Sequence, residues 1–457
     1  MKRIFRHYMF PGFLVSVVCL TGCKKQNDFL NAKPNQGLAI PSNLNDMQLL
    51  LNNENIFSNN YPSLGEISSD DFYVPTGVWN SVGAIEQNTY IWAKQIYPAN
   101  SNVGDWNFSY QQVYYANSIL SGLVNIPKNS GNTTQYNKIQ GGALFYRAIA
   151  FYNLLQTFSM PFDPKTSSTD LGIPLRLSTD LNAKVNRSTV SKCFDQIESD
   201  LNSALPLLPD LPGLKTQPSK AAVFGLLSRI YLVLGDYQQS LDNANNFLKI
   251  YNTLQDFNKL DPTAYPVYAN YSPEEVFHSS LLGYSIEIDG IVDSTVYRSF
   301  NNPNDLRPSL FFYNYNGDLL YNSQYDQQNN ISSTISTNEM YLNKAECEAR
   351  LNNQSQAMQD LNTLLITRWK AGTFVPYSAT SADNALIQIL SERRKELLFT
   401  GLRWSDLRRL NKDTRFAITL YRNINGVTYS LPPNDIRYAL PIPDNEIALN
   451  PIPQNPR

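Results

Sequence analysis

The segment Ser219–Ile250 reads SKAAVFGLLSRIYLVLGDYQQSLDNANNFLKI, and it contains two helical patterns that meet at Gly235–Asp236. Small and large apolar side chains recur at helical spacing in both halves. Two such helices, joined by so short a turn, interlock as an antiparallel pair. The segment therefore predicts that helix pairs form the main scaffold of the protein.

A second segment with the same organisation spans Ser336–Arg368, where Leu351–Gln354 takes the place of Leu234–Tyr237. Both segments resemble tetratricopeptide units, and the long stretch between them indicates dispersed pairs rather than a tandem array. Helical periodicity also marks Trp106–Leu123 and Ile139–Phe158. The predicted fold class is mainly α, with tetratricopeptide-like helix pairs as a scaffold and with long loops and small β pieces covering one side.

Two loop-rich stretches interrupt the helical pattern, at about residues 61–105 and 252–335. Both are rich in aromatic, polar and turn-forming residues. Stretches this long inside a compact domain are usually either functional or disordered, and functional loops carry the side chains that bind ligands. We therefore expect ligand contacts to come from these two stretches.

The N-terminus has the features of an exported lipoprotein. Residues 1–22 combine a positively charged start with an apolar run that is too short to span a bilayer. The run ends in LTGC, Leu20–Cys23, which resembles the bacterial lipobox and predicts lipid attachment at Cys23. Residues 23–42 are polar and predicted to be a tether, and 43–457 are predicted to form a single domain. The alternative is an ordinary signal peptide with a chance cysteine.

Composition excludes several classes of function. The formal net charge is −2, and removal of residues 1–22, which carry positive charges only, makes the mature chain more acidic. Such a chain is a poor binder of nucleic acid. Beyond Cys23 the only cysteines are Cys193 and Cys347, and the only histidine is His278, since His7 lies within residues 1–22. A histidine-rich metal site is therefore excluded. No cofactor is predicted, although a structural calcium ion is left open. The two cysteines are expected to be buried free thiols, with one bridge between them as the alternative.

The segment Ser391–Leu410, SERRKELLFTGLRWSDLRRL, combines charges of both signs with an apolar face. Mixed charges at these spacings predict ion pairs between packed helices. A catalytic interpretation would pair Glu396 with Asp406, but an unbroken helix would separate them by about 15 Å. Glycosidase carboxylates lie only about 5–9.5 Å apart. No catalytic residue is therefore predicted.

Several motifs follow one another in the order typical of one family. They are GEISSDDF at Gly65–Phe72, GGALFYRAIAFYNLLQTF at Gly141–Phe158, NDLRPSLFF at Asn304–Phe312, the charged segment Ser391–Leu410, and ALPIPDNEIALNP at Ala439–Pro451. Together with the lipobox, these motifs resemble the SusD/RagB family of outer-membrane nutrient-binding lipoproteins. The resemblance covers nearly the whole mature chain.

The resemblance implies a binding function without catalysis. Members of this family capture oligosaccharides, or sometimes peptides, and deliver them to a SusC-like TonB-dependent transporter. The chain is thus expected to be lipid-anchored in the outer membrane, facing the cell exterior, with an oligosaccharide as its foremost ligand. The sequence does not identify the nutrient or the surface that meets the transporter.

Candidate ligand-binding residues follow from their position in the loops alone. Aromatic side chains offer a flat apolar face and, in tyrosine and tryptophan, a hydrogen-bonding tip. Trp106 and Trp404 are periodic with helix cores and are assigned to structure, and plain packing is the alternative for every candidate. The candidates are Asp70, Asp71, Tyr73, Trp79, Trp92, Tyr265, Tyr268, Tyr271, Tyr284, Tyr313 and Tyr315.

Two other classes of function stay open. An exported glycoside hydrolase would have to use Asp70 and Asp71, the one compact acidic pair in the loops. Adjacent residues diverge on a strand or loop, so the two carboxylates do not easily flank one bond. A protein-interaction scaffold would use the tetratricopeptide-like helices to hold other proteins, and it would bind no small ligand.

Overall fold

The computed structural model of the protein describes residues 41–264, 267, 271–322 and 331–457. The described residues from Ser42 to Arg457 form one compact, mainly helical unit. The helices are α1 (Leu44–Leu51), α2 (Glu54–Phe57), α3 (Leu64–Ser68), α4 (Thr76–Ser81), α5 (Ala84–Tyr90), α6 (Gly104–Leu123), α7 (Thr133–Phe158), α8 (Val190–Ala204), α9 (Lys220–Leu234), α10 (Tyr237–Ile250), α11 (Ser285–Ile288), α12 (Ser294–Ser299), α13 (Arg307–Phe311), α14 (Thr337–Arg350), α15 (Gln354–Leu365), α16 (Ala382–Glu396), α17 (Arg403–Leu410) and α18 (Asp444–Leu449).

The strands are short and form small antiparallel sheets. They are β1 (Phe72–Tyr73), β2 (Leu171–Pro174), β3 (Arg187–Thr189), β4 (Glu275–Phe277), β5 (Ile291–Val292), β6 (Phe312–Tyr315), β7 (Asp318–Tyr321), β8 (Ile335–Ser336), β9 (Leu420–Ile424) and β10 (Val427–Leu431). The largest sheet has the strand order β1-β5-β7-β6, and the others are the pairs β2–β3, β4–β8 and β9–β10.

The pair α9–α10 forms as the sequence predicts, because its turn is specified by local side chains. Ser219 caps α9 by accepting a hydrogen bond from the backbone N–H of Ala222 at 3.2 Å. Gly235 ends the helix in the left-handed conformation, with φ +76°. Asp236 then caps α10 by accepting from the N–H of Gln239 at 3.0 Å. The helix therefore stops and restarts within two residues.

The two predicted helix pairs stack on each other although they are far apart in sequence. Helix α10 packs against α14, and α14 packs against α15 and α16. Helix α9 comes so close to β8 that a Cβ atom on Gly225 would lie 2.2 Å from Cγ2 of Ile335. The structure thus confirms the mainly α scaffold of tetratricopeptide-like pairs. Cys193 on α8 and Cys347 on α14 are buried free thiols.

The two loop-rich stretches contain more regular structure than predicted. Residues 61–105 contribute β1 and three short helices, and the described part of 252–335 contributes five strands and three short helices. Each of these helices has at most seven residues, too few for a periodic pattern to stand out. The four-stranded sheet joins the two stretches, since β1 comes from the first and its three partners come from the second.

Candidate functional site

The register of the four-stranded sheet places two predicted site residues in one row. Tyr73 on β1 lies opposite Ile291, which lies opposite Leu320, which in turn lies opposite Tyr313 on β6. Residues directly opposite each other in antiparallel strands project to the same face. Tyr315 follows Tyr313 by two positions and shares that face as well. We call this surface, made by Tyr73, Ile291, Leu320, Tyr313 and Tyr315, the tyrosine face.

The three tyrosines of this face are open to solvent. Tyr73 is 42 % exposed, Tyr313 is 43 % exposed and Tyr315 is 61 % exposed. Ile291 is buried and Leu320 half-buried between them, so they form an apolar floor. Three strand spacings separate Tyr73 from Tyr313, a distance of about 14 Å across the sheet. Such a surface offers aromatic faces for stacking and hydroxyl groups for hydrogen bonds.

A tight hairpin positions the most exposed of these tyrosines. Strands β6 and β7 are joined by Asn316–Gly317, and both residues have positive φ, 54° and 98°. An Asn-Gly pair is the preferred sequence for a two-residue hairpin turn, because both positions require a left-handed backbone. The turn sets Asp318 directly opposite Tyr315, which adds an exposed carboxylate to the tyrosine face. The sequence reasoning missed Asp318, although the dipeptide Asn-Gly was the signal that could have found it.

The opposite face of the sheet is fixed to the core by aromatic packing. Phe399 stacks on Phe72 of β1 at a ring-centroid distance of 6.0 Å and on Tyr321 of β7 at 4.4 Å. Phe72 and Phe399 are both buried. The ring of Phe399 therefore packs against strands from both loop-rich stretches and supports the sheet on the side opposite the tyrosine face.

Asp70 and Asp71, both predicted site residues, form ion pairs with arginines at the start of β1. Asp70 accepts hydrogen bonds from Nε and Nη2 of Arg403 at 2.6 and 2.9 Å. The buried carboxylate of Asp71 pairs with Arg394 and accepts from the backbone N–H of Phe399 at 2.9 Å. Burial alone would raise the pKa of Asp70, but Arg394 and Arg403 outweigh it and hold that pKa well below its usual value. Both carboxylates are thus committed to positioning the strand that carries Tyr73.

The arginines that hold them belong to the charged segment singled out in the sequence. Asp406 on α17 accepts from Nε of Arg393 at 2.7 Å and from Nε of Arg409 at 2.8 Å. Arg409 also pairs with Glu346 of α14 at 2.6 Å. Burial would raise the pKa of Glu346, but the neighbouring arginines hold it at about 2. The prediction of ion pairs between packed helices is confirmed.

A second group of buried ion pairs also involves the C-terminal end of α16. Arg307 is fully buried and pairs with Asp305 and with Glu392, each at 2.7 Å. Arg368 pairs with Glu396 at 2.6 Å. Burial would raise the pKa of Glu396, yet the two arginines lower it. Glu396 and Asp406 are therefore both saturated by arginines, which gives neither the character of a catalytic acid.

Three further predicted residues are not on the strands that form the tyrosine face. Trp92 is buried, and its indole N–H donates to the carbonyl of Ser68 at 3.0 Å. Trp79 is half-buried and donates to the carbonyl of Gln87 at 3.0 Å. Tyr284 is half-buried and donates its hydroxyl to Asp105 at 2.7 Å.

Tyr271 lies outside the sheet and packs at 4.4 Å from the ring of His278. Tyr265, Tyr268 and the predicted lipidation site Cys23 lie outside the described residues.

Two family models match the chain on either side of its middle. One, described as "Starch-binding associating with outer membrane", matches residues 28–232, and the other, described as the SusD family, matches residues 318–457. The chain belongs to the SusD/RagB-like family. Asp70 and Asp71 lie within the first match, and their partners Arg394 and Arg403 lie within the second.

Individual relatives agree with the family at the level of sequence and of fold. SusD-like protein P2 of Formosa agariphila is 26 % identical over 142 residues, which span 30 % of this chain and 25 % of that relative's length. A solved SusD superfamily protein from Bacteroides thetaiotaomicron is 25 % identical, with a TM-score of 0.74 over 91 % of this SusD-like chain and 100 % of its own. A solved laminarin-binding SusD-like protein shares the fold at 18 % identity, with a TM-score of 0.66 over 90 % of this chain and 97 % of its own.

Two features are absent from the part of the chain that the structure describes. No helix there is both long and apolar enough to cross a bilayer. The same residues contain no group of three or more histidine, cysteine, aspartate or glutamate side chains arranged to hold a metal ion.

Proposed function

We propose that this SusD-like protein binds an oligosaccharide on its tyrosine face and delivers it to a SusC-like TonB-dependent transporter. The observation that carries the proposal is the row formed by Tyr73 and Tyr313, extended by Tyr315. Three exposed aromatic rings on one face of a supported sheet suit the stacking of sugar rings, and Asp318 beside them accepts hydrogen bonds from sugar hydroxyls. A structural neighbour that binds laminarin makes a β-glucan a reasonable first ligand to test.

Among the residues that the structure describes, the tyrosine face does not present the pair of carboxylates that a glycoside hydrolase needs. Hydrolysis requires two carboxylates on either side of the scissile bond. On the tyrosine face, among the described residues, Asp318 is the one carboxylate. Asp70 and Asp71, the pair on which an enzyme would depend, are bound to arginines. We therefore propose binding without catalysis, from a lipid anchor at Cys23 in the outer membrane and with the site facing the cell exterior.

Affinity electrophoresis through gels that contain laminarin, starch, xylan or mannan tests the binding site. We expect at least one polysaccharide to retard the protein, and we expect the combined variant Tyr73→Ala, Tyr313→Ala, Tyr315→Ala to be retarded much less. Tyr421→Ala is the matched control, because Tyr421 is 65 % exposed and lies on β9, which is not a strand of the four-stranded sheet. Retardation that the triple change leaves undiminished, or that the control abolishes, would refute the tyrosine face as the site. Sugar products released from the retarding polysaccharide would refute the absence of catalysis.

Purification of the lipidated protein from its own outer membrane in mild detergent tests the partner. We expect a large TonB-dependent transporter to accompany it in stoichiometric amount. A protein that runs alone, or with partners from the periplasm, would refute delivery to such a transporter. Failure of every polysaccharide to bind, together with stable protein partners, would instead favour an interaction scaffold.

A further inference from the structure

A large cavity lies outside the tyrosine face, between α6, the loop after β2 and helix α18. Its volume is about 620 Å³, whereas a second cavity, beside Tyr97 and Arg457, has about 250 Å³. Sites for small ligands usually have volumes of about 300–1,000 Å³. Of these two cavities within the described residues, only the first is large enough for a ligand of several rings.

Helix α6 lines one wall of this cavity with an aromatic stripe. Trp106, Tyr110 and Tyr114 follow one another at a spacing of four residues, so they lie along one face of the helix. Trp106 and Tyr110 pack together with their ring centroids 4.7 Å apart. Tyr110 is held in place because its hydroxyl donates to the carbonyl of Pro174 at 2.9 Å. The half-buried ring of Tyr114 completes the stripe.

Hydrogen bonds from buried groups hold the opposite wall. The side chain of Asn117 donates to the carbonyl of Arg176 at 2.9 Å and accepts from Arg147 at 2.9 Å. Arg147 is itself paired with the buried carboxylate of Asp200 at 2.7 Å. The start of the loop is therefore tied to α6, α7 and α8. A cavity framed in this way does not have to be ordered by its ligand, which lowers the entropic cost of binding.

Charges at the cavity balance within the protein. Arg176 pairs with Glu446 of α18 at 3.3 Å, and Lys184 donates to the carbonyl of Leu449 at 2.5 Å. The carboxylate of Asp180 accepts from the backbone N–H of Asn182 at 2.9 Å. Two cations and two anions thus line the cavity without an excess of either sign. This balance favours a ligand that is polar but uncharged.

We propose that this cavity is a second saccharide-binding site, for a neutral oligosaccharide. Aromatic rings beside side-chain amides and carboxylates, with no net charge, are the groups that recognise sugar rings and hydroxyls. The cavity shares no lining residue with the tyrosine face, so the proposal goes beyond the proposed function and does not depend on it. A second site on the same chain would let the protein hold two parts of one long glycan, or two chains at once, and would raise avidity.

Fluorine NMR of protein labelled with 5-fluorotryptophan tests this proposal at the cavity itself. The chain has five tryptophans, and Trp106 lies in the cavity wall. Its resonance is assigned by Trp106→Phe or, if that variant does not fold, by elimination with the four other single changes to phenylalanine. The probes are laminarihexaose, maltohexaose, xylohexaose and mannohexaose at millimolar concentration. We expect at least one probe to shift the Trp106 resonance saturably.

Two variants locate the cause of that shift. Asn182→Phe places a ring into the cavity from an exposed turn. The probe concentration that gives half of the Trp106 shift should then rise at least tenfold. Tyr315→Ala, on the tyrosine face, should leave that response unchanged.

A Trp106 resonance that no neutral probe moves would overturn the proposal. A response only to an oligogalacturonate, or only to the purified transporter, would overturn it too, as would a response that Tyr315→Ala removes. A decrease of gel retardation in the tyrosine-face variants is a separate result, and its absence would refute the tyrosine face alone.

Discussion

Replacement of Tyr315 by alanine should weaken oligosaccharide binding about tenfold. A buried aromatic side chain contributes roughly 200 Å² of surface. Tyr315 is 61 % exposed, which leaves about 120 Å² for a ligand. A sugar stacked on one side of the ring covers about half of this, or about 60 Å², and at ~25 cal/mol per Å² this stabilises the complex by about 1.5 kcal/mol. A difference of this size is about tenfold in Kd.

The same reasoning ranks the neighbouring positions. Tyr313 is 43 % exposed, so its change to alanine should cost about 1 kcal/mol, or roughly a sixfold rise in Kd. Tyr421 is as exposed as Tyr315 but lies on β9, and Tyr421→Ala should leave Kd unchanged. Exposure and position on the sheet therefore predict the largest rise in Kd for Tyr315→Ala, a smaller rise for Tyr313→Ala and none for Tyr421→Ala.

Isothermal titration calorimetry with a hexasaccharide of the retarding polysaccharide measures this series. Each variant also needs a urea unfolding curve, since alanine on a strand lowers stability by up to about 1 kcal/mol. A folded Tyr315→Ala variant with the wild-type Kd would refute the reasoning. Equal losses in Tyr315→Ala and Tyr421→Ala would refute it as well, because the effect would then not depend on the tyrosine face.

Three further predictions concern the scaffold. Arg307→Met should lower the free energy of unfolding by about 3 kcal/mol, because it leaves buried carboxylates without their partner. The side chain of Arg415, which pairs with Asp383, is 47 % exposed, so Arg415→Met should lower the free energy of unfolding by less than about 1 kcal/mol. Equal urea midpoints for Arg307→Met and Arg415→Met would contradict this. Gly225→Ala should destabilise by about 1–2 kcal/mol, because the clash with β8 exceeds the gain in helix propensity. Gly77 has open space around it, so Gly77→Ala should not lower the thermal midpoint of unfolding. The difference in thermal midpoint between Gly225→Ala and Gly77→Ala therefore tests the close approach of α9 to β8. Burial and a neighbouring carboxylate raise the pKa of Glu66 well above its usual value. Wild type should therefore lose stability relative to Glu66→Gln as pH rises above about 4.3, by about 1.4 kcal/mol per pH unit until the folded pKa is reached. A pH-independent difference in urea unfolding would show that Glu66 is charged in the fold.

The helix pairs could be predicted because their determinants lie close together in sequence. The cap at Ser219, the left-handed Gly235 and the cap at Asp236 all act within a few residues of the helices they begin or end. The Asn316–Gly317 turn is equally local, and its hairpin was within reach of sequence reasoning. Strands β1 and β5 were not, because each has only two residues and exists through its pairing partners.

The candidate site was predicted only in outline. The choice of the two loop-rich stretches included Tyr73, Tyr313 and Tyr315, which the sheet brings together. The sequence could not separate these tyrosines from Trp92, because an aromatic residue in a loop has the same sequence signal whether it packs inward or faces solvent. In the structure the three tyrosines are exposed and Trp92 is buried. The cavity beside α6 was missed for a similar reason, because its aromatic stripe has the period of an ordinary helix core.

The sequence by itself determined the helix pairs, the ionic character of α16 and α17, and the family, and it predicts export and lipidation. Each of these depends on residues within one short window, or on motifs that keep their order along the chain. Only the tertiary structure decided what Asp70 does, because its partner Arg403 lies 333 positions away. It also decided which tyrosines share a face, since strand register is set by pairing between distant segments and not by either segment alone.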